Sequence, residues 1–183
     1  MLNFLKIDNV YDEMFEGVFS LYTESFPKEE RRSWAALENV LNSDKRFNLF
    51  ALFCENNFAG FIAYWKFEHF YFLEHFAILP AYQNKNLGSE TITTLLAQVN
   101  LPVVLEAEPP KNIEAERRIH FYERLGFSVM TDFYMQPPYD NHSFLIPMII
   151  MCNDFHYAKR HFNAIRDTLY SEVYHYKKEA EEE

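Results

Sequence analysis

Apolar side chains change period several times along the chain, and each change predicts an element. Over residues 9–25, Val10, Met14, Val18, Leu21 and Tyr22 fall on one side at helical spacing, with Phe15 and Phe19 widening the stripe. This predicts a helix ending near Phe26-Pro27. After the polar run K-E-E-R-R, Ser33 is placed to cap a second helix carrying Trp34, Leu37, Val40 and Leu41. F-N-L-F-A-L-F-C at 47–54 then reads as a strand and E-N-N as a turn. Two more strands follow at 58–67 and 70–79, joined near Glu68-His69 by a turn with neither Gly nor Pro. A helix is predicted from Leu87 to Gln98, a strand at 102–108, and a helix at 114–125 stopped by Gly126. Strands at 127–135 and 144–152 and a long helix over 154–178 complete the chain, and a first strand fits 3–8.

A meander leading into strand–helix–strand–helix predicts an α/β domain with a mixed sheet. The strands at 70–79 and 102–108 are expected to be parallel neighbours joined by a helical crossover. On the last helix, Phe155, Phe162, Leu169 and Tyr176 recur every seven residues, with Ala158 and Ile165 between them. That seam packs either on the protein's own sheet or on a second copy, so a homodimer stays open.

Composition narrows the partners. Acids outnumber bases 27 to 17, a formal charge of -10, so a phosphate backbone is repelled and nucleic acid is not expected. Part of this charge is the tail E-A-E-E-E at 179–183, expected to be a frayed end. No apolar run is long enough to span a bilayer, and M-L-N-F-L-K is not a signal peptide, so a soluble cytoplasmic protein is expected. Cys54 and Cys152 sit in or beside apolar runs and read as buried free thiols. The seven histidines show no metal spacing; His156 and His161, five apart, do not share a helix face, and no metal is expected.

One junction carries candidate chemistry. In P-A-Y-Q-N-K-N-L-G-S, residues 80–89, an apolar strand passes through a polar loop into a helix. A helix N-terminus offers unpaired N–H groups and the positive end of a dipole, which suits an anion, phosphate above all. Gly88 is one of only four glycines and allows close approach of backbone to a ligand; Lys85 adds charge and Ser89 a hydroxyl. The alternative is an ordinary strand-to-helix loop.

The stretch H-F-A-I-L-P, then Q-N-K-N-L-G, then a helix, resembles the acetyl-CoA-binding motif of the GNAT superfamily of N-acetyltransferases. The family pattern is Gln or Arg, two residues, Gly, one residue, then Gly or Ala. Here it reads Gln83, Asn84, Lys85, Asn86, Leu87, Gly88. Asn86 replaces the first glycine, and Asn is the non-glycine residue that best tolerates left-handed backbone angles. R-I-H-F-Y-E-R-L-G-F, residues 118–127, resembles the family signature ending Tyr-Glu-Lys-x-Gly-Phe, and S-F-P-K-E-E-R-R is a weaker likeness.

The resemblance implies a mixed, mostly antiparallel sheet flanked by helices and splayed between the fourth and fifth strands. It covers a domain at 1–152, with 153–183 as a C-terminal helical extension packed on the domain or at a dimer contact. It implies acetyl-CoA as co-substrate, with the main chain of Phe76, Ala77 and Ile78 serving the pantetheine and thioester. The loop from Gln83 to Ser89 would hold the pyrophosphate. Asn112 is a candidate for the coenzyme contact that relatives make with an Asn at the start of the last motif, although P-P-K-N-I-E gives a longer loop here.

By the same resemblance Tyr122 is the general acid for the departing sulfur; the other reading is a core-filling tyrosine. Strand alternation puts Phe72, Glu74 and Phe76 on one side and His75 on the other. Glu74 and Glu106 are therefore both candidate bases, with Glu108 on the face of Glu106. Each could instead be a solvated strand residue or a partner of Arg117 or Arg118. Phe26, Arg31, Trp34 and the segment M-Q-P-P-Y-D, with Tyr139, are candidates for the acceptor site. The acceptor expected is a small-molecule amine or a protein amino group. A non-catalytic module binding an acyl-CoA or a partner on the same scaffold is the alternative.

Overall fold

The computed structural model describes residues 1–130, 133–139 and 144–176. Its elements are β1 Leu2–Ile7, α1 Phe15–Ser25, α2 Trp34–Ser43, β2 Phe47–Cys54, β3 Asn57–Lys66, β4 Tyr71–Ile78, α3 Leu87–Gln98, β5 Val103–Ala107, α4 Ile113–Glu123, β6 Ser128–Val129, β7 Tyr134–Gln136, β8 Ile146–Cys152 and α5 Phe155–Thr168. The strands form one sheet in the order β1-β2-β3-β4-β5-β8-β6, with β7 also on β8. Only β4 and β5 run parallel, joined through α3.

Alternation along the strands feeds two apolar layers. Leu49, Phe61, Trp65 and Phe72 face α1, α2 and α5, while Ile62, Leu73 and Leu105 meet Ile92 of α3 and Ile119 of α4. Ser33 caps α2 by accepting from the Ala36 N–H at 3.2 Å. Gly126, at φ +89°, takes the left-handed turn that ends the helical segment after α4.

Three predicted boundaries move. The first helix begins at Phe15, not residue 9, because Asn9 Oδ1 and Asp12 Oδ1 accept from the N–H groups of Tyr11 and Met14. These local turns compete with helix. The expected strand at 127–135 is two strands. Between Val129↔Met151 and Tyr134↔Met148 that side advances five residues (134 − 129) while β8 advances three (151 − 148), so one ladder cannot hold both. The last helix does not run on to 178. After Thr168 it widens into a π-helical turn, Leu169–Val173, and His175 is left-handed at φ 51°. The seam residues Ala158, Phe162, Ile165 and Leu169 pack on the protein's own sheet, while Phe155 is 40% exposed. The acidic tail, residues 177–178 of the predicted last helix, residues 131–132 of the predicted strand at 127–135 and Asp140 of the Pro-rich loop lie outside the described residues.

Two irregularities prepare the site. The β3–β4 register jumps from Ala63↔His75 to Tyr64↔Leu73, leaving Glu74 as the extra residue of a β-bulge. The bulge overturns the simple alternation. Glu74 and His75 both face the α1–α2–α5 layer, and Phe76 turns to the opposite layer. Second, β4 and β5 pair only from Tyr71↔Val103 to Leu73↔Leu105, yet β4 continues to Ile78 and β5 to Ala107. Beyond Leu73 the two strands part.

Candidate active site

The parted strands open a cleft of about 500 Å³. One wall is the edge of β4. The N–H of Leu79 donates to the Ala59 carbonyl, and Phe61↔Ala77 is two residues along the ladder, so Ala77 and Leu79 bond toward β3. The main-chain groups of Phe76 and Ile78 therefore point into the cleft. Gln83 lies at the end of this wall and donates its side-chain N–H to the Ile78 carbonyl at 2.9 Å.

The junction after β4 is built on two left-handed asparagines, Asn84 at φ 61° and Asn86 at φ 63°. Asn86 is the N-cap of α3 and makes no side-chain capping bond, so the first-turn N–H groups of Leu87, Gly88 and Ser89 stay open to a ligand. Leu87 buries its side chain, and Lys85 lies 5.3 Å over the Tyr82 ring. Gly88 packs between Phe121 and Phe76: a Cβ there would meet their rings at 3.5 and 3.8 Å.

The far wall carries Glu106 on β5. Tyr134 of β7 and Tyr174, just past the π-helical turn, each donate a hydroxyl hydrogen bond to its carboxyl. Burial pushes the Glu106 carboxyl up to about 7; the two tyrosine bonds oppose this, and the charges of Glu74 and Glu30 add to it. Glu74 sits in a different setting. Its side chain is wholly buried, ion-paired with buried Arg32, and accepts from Trp65 Nε1 at 3.1 Å and the Tyr139 hydroxyl at 2.9 Å. Burial alone would raise its pKa, but Arg32, His75 and the hydrogen bonds from Arg32 and Tyr139 outweigh that and hold it below the usual carboxylate range. Arg32 also donates to the Val173 carbonyl at 3.0 Å and lies 4.5 Å from the Tyr139 ring centre. The C-terminal segment thus reaches Glu106 directly and Glu74 through Arg32.

This buried pair is expected to be structural. Arg32→Met strands the Glu74 charge and should cost about 3–5 kcal/mol in urea unfolding. The Arg32→Met/Glu74→Met double variant should recover most of that loss.

Tyr122 of α4 is buried against Phe121 and Phe127, lines the cleft, and its hydroxyl has no hydrogen-bond partner among the described residues. Burial raises it to about 12, opposed by Arg118, so it stays protonated at neutral pH. Glu108 lines the cleft paired with Arg118 at 2.7 Å. Phe26 and Tyr139 also line it, packed around His75, whose Nε2 meets the Glu30 carbonyl at 2.9 Å. Burial lowers the His75 pKa.

Three residues expected at the site are engaged elsewhere. Trp34 stacks edge-on against Phe15 and Phe19 at 4.6 and 4.8 Å, away from the cleft lining. Arg31 donates to the Phe26 carbonyl, and its neighbour Arg32 takes the inward position. Asn112 caps α4 by accepting from the Ala115 N–H at 2.8 Å. Arg32, Tyr134 and Tyr174 were not singled out by sequence, and Gln136 only as part of M-Q-P-P-Y-D. Among the described residues, no cluster of His, Cys, Asp or Glu could hold a metal ion, and no helix is long and apolar enough to cross a membrane. Cys54 and Cys152 are free thiols.

A mixed sheet parted at its single parallel pair, with a helix N-terminus at the end of the resulting cleft, defines the GNAT-type acetyltransferase fold. The model of the acetyltransferase (GNAT) family matches residues 12–127, and the chain belongs to that family. Among solved structures, a GNAT-family protein from Bacteroides thetaiotaomicron is similar at 35% identity and TM-score 0.90, over 96% of this chain and 99% of that one. Arabidopsis thaliana Naa50 in complex with the bisubstrate analogue CoA-Ac-MVNAL shares the fold at 16% identity and TM-score 0.61, over 84% and 99%. A GNAT family acetyltransferase from Elizabethkingia anophelis with acetyl-CoA bound does so at 12% and 0.58, over 82% and 96%. No curated protein matched the sequence.

Proposed function

We propose that the protein transfers the acetyl group of acetyl-CoA to a primary amine by direct attack within one ternary complex. The observation that carries this reading is Glu106: a carboxyl raised to about 7, held by two tyrosines, in the cleft that also holds the open edge of β4 and the Tyr122 hydroxyl, which has no partner among the described residues. The pyrophosphate of the co-substrate would rest on the N–H groups of Leu87, Gly88 and Ser89, with Lys85 adding charge. Asn84 and Asn86 supply the turn that presents them. The pantetheine would lie along β4 and bond to the main chain of Phe76 and Ile78, displacing the Gln83 side chain from the Ile78 carbonyl. The Phe76 N–H, which points into the cleft, would stabilise charge developing on the thioester oxygen, whereas the Ala77 N–H expected there is turned to β3.

Glu106 would accept the proton of the incoming ammonium. Its pKa near 7 leaves about half of it ionised under neutral conditions, and basic enough to take the proton. Glu74 is the poorer base, because its carboxylate is committed to Arg32, Trp65 and Tyr139. Its role would be to fix Tyr139 and the floor of the acceptor site. Tyr122 would donate its proton to the departing sulfur and regain one from solvent or product. The acceptor, a small-molecule amine or a protein amino group, would enter past Phe26, Glu30 and Tyr139.

Tyr122→Phe tests the acid assignment. Turnover should fall by about 100-fold while acetyl-CoA affinity, read by calorimetry, stays unchanged. Wild-type turnover in this variant would reduce Tyr122 to a core residue.

A further inference from the structure

Gln136 ends β7 at the acceptor side of the cleft. It is 2% exposed and lines the cavity, and its Nε2 is the one buried side-chain polar atom among the described residues with no hydrogen-bond partner. A buried donor left unpaired is costly, and buried amides are almost always satisfied, so the orphaned amide of a cleft-lining side chain marks a donor that a bound ligand could pair after a small side-chain rotation. Alternation along β7 puts Gln136 on the face of Tyr134, roughly 6.8 Å along the strand. Tyr134 holds Glu106, so Gln136 is the next same-face position along β7 from the tyrosine that holds the proposed base.

We infer that Gln136 is a specificity-determining residue, donating its side-chain N–H to a neutral carbonyl oxygen next to the amine of the acceptor. The acceptor class is then an α-amino amide, such as the first residue of a peptide or an amino-acid amide, rather than a plain alkylamine. This inference rests on the acetyltransferase reading of the same cleft.

Two further observations agree with it. Glu24, Glu30 and Glu106 line the acceptor side, and a free α-carboxylate would meet that negative field, so an amide is favoured over a free amino acid. The proton balance points the same way. An α-amino group titrates at about 7.7–8.0 and a lysine-type amine at about 10.4, so a carboxylate titrating near 7 deprotonates the first almost without penalty.

The test is calorimetric titration of the CoA-loaded protein with L-alaninamide, its isostere 3-methyl-2-butylamine, and L-alanine, in wild type and Gln136→Met. Acetylation of each is followed in parallel. Wild type should bind alaninamide about tenfold more tightly than the isostere, with L-alanine weaker still, and Gln136→Met should abolish the alaninamide advantage. Equal binding of amide and isostere by wild type overturns the inference, and that comparison needs no variant. An advantage that survives in Gln136→Met also overturns it. Retained discrimination without acetylation of any amine would sink the transferase reading while leaving Gln136 as the carbonyl-binding residue.

Discussion

Glu106→Gln should lower kcat for acetyl transfer by about two to four orders of magnitude, the usual contribution of a positioned general base. In wild type, kcat/KM should rise with pH through an apparent pKa near 7, set by the buried Glu106 carboxyl, and that limb should vanish in the variant. Misfolding is separable by sign. Because the folded-state pKa of Glu106 is raised, the stability it lends is full below the unfolded carboxylate pKa, about 4.3, and is lost as pH rises through about 7. Gln carries no such ionisation cost and still accepts from a tyrosine hydroxyl. At pH 8 the variant should melt no lower than wild type. Wild-type turnover in Glu106→Gln, with the pH limb intact, would move the base elsewhere, and Glu74 would be next.

The second large effect is expected at Gly88. Gly88→Glu should weaken binding of CoA and acetyl-CoA by about 100-fold, two factors of ten at 1.4 kcal/mol each. The substitution is mild for the fold. The added Cβ makes ordinary contacts with Phe121 and Phe76, and an acid in the first turn of α3 suits the helix dipole. It is severe for a pyrophosphate, because the new carboxylate competes for the same N–H groups. Acetyl-pantetheine, which lacks the phosphates, should bind wild type and variant alike. A CoA affinity unchanged by Gly88→Glu would place the pyrophosphate away from this helix.

Much of this was legible in the sequence, for identifiable reasons. Periodicity located the helices and strands because each buries one face, and Ser33 announced its cap by its position before an apolar stripe. Asn86 takes the left-handed angle that its place in the motif demands. What escaped depends on distant partners. K-E-E-R-R has no period, so nothing local distinguishes Arg32 from Arg31; the choice is made by Glu74, 42 residues away. The bulge at Glu74 has no local Gly and appears only when β3 and β4 are paired, which is why strict alternation misplaced His75 and Phe76. Tyr134 and Tyr174 look like core aromatics in sequence. Only the pairing of β7 with β8, and the path of the chain after Val173, bring their hydroxyls to Glu106 on β5. Gln136 lies in the segment M-Q-P-P-Y-D expected at the acceptor site, but nothing in the sequence sets it apart there, since its meaning lies in the partner it lacks.

The most direct measurement is release of CoA from acetyl-CoA by the purified protein across a panel of primary amines, with the products identified by mass. One CoA released per N-acetylated amine, lost in Tyr122→Phe and Glu106→Gln alike, is the predicted result. Tight acetyl-CoA binding with no acetylated product from any amine would contradict it and leave a coenzyme-binding module on an acetyltransferase fold.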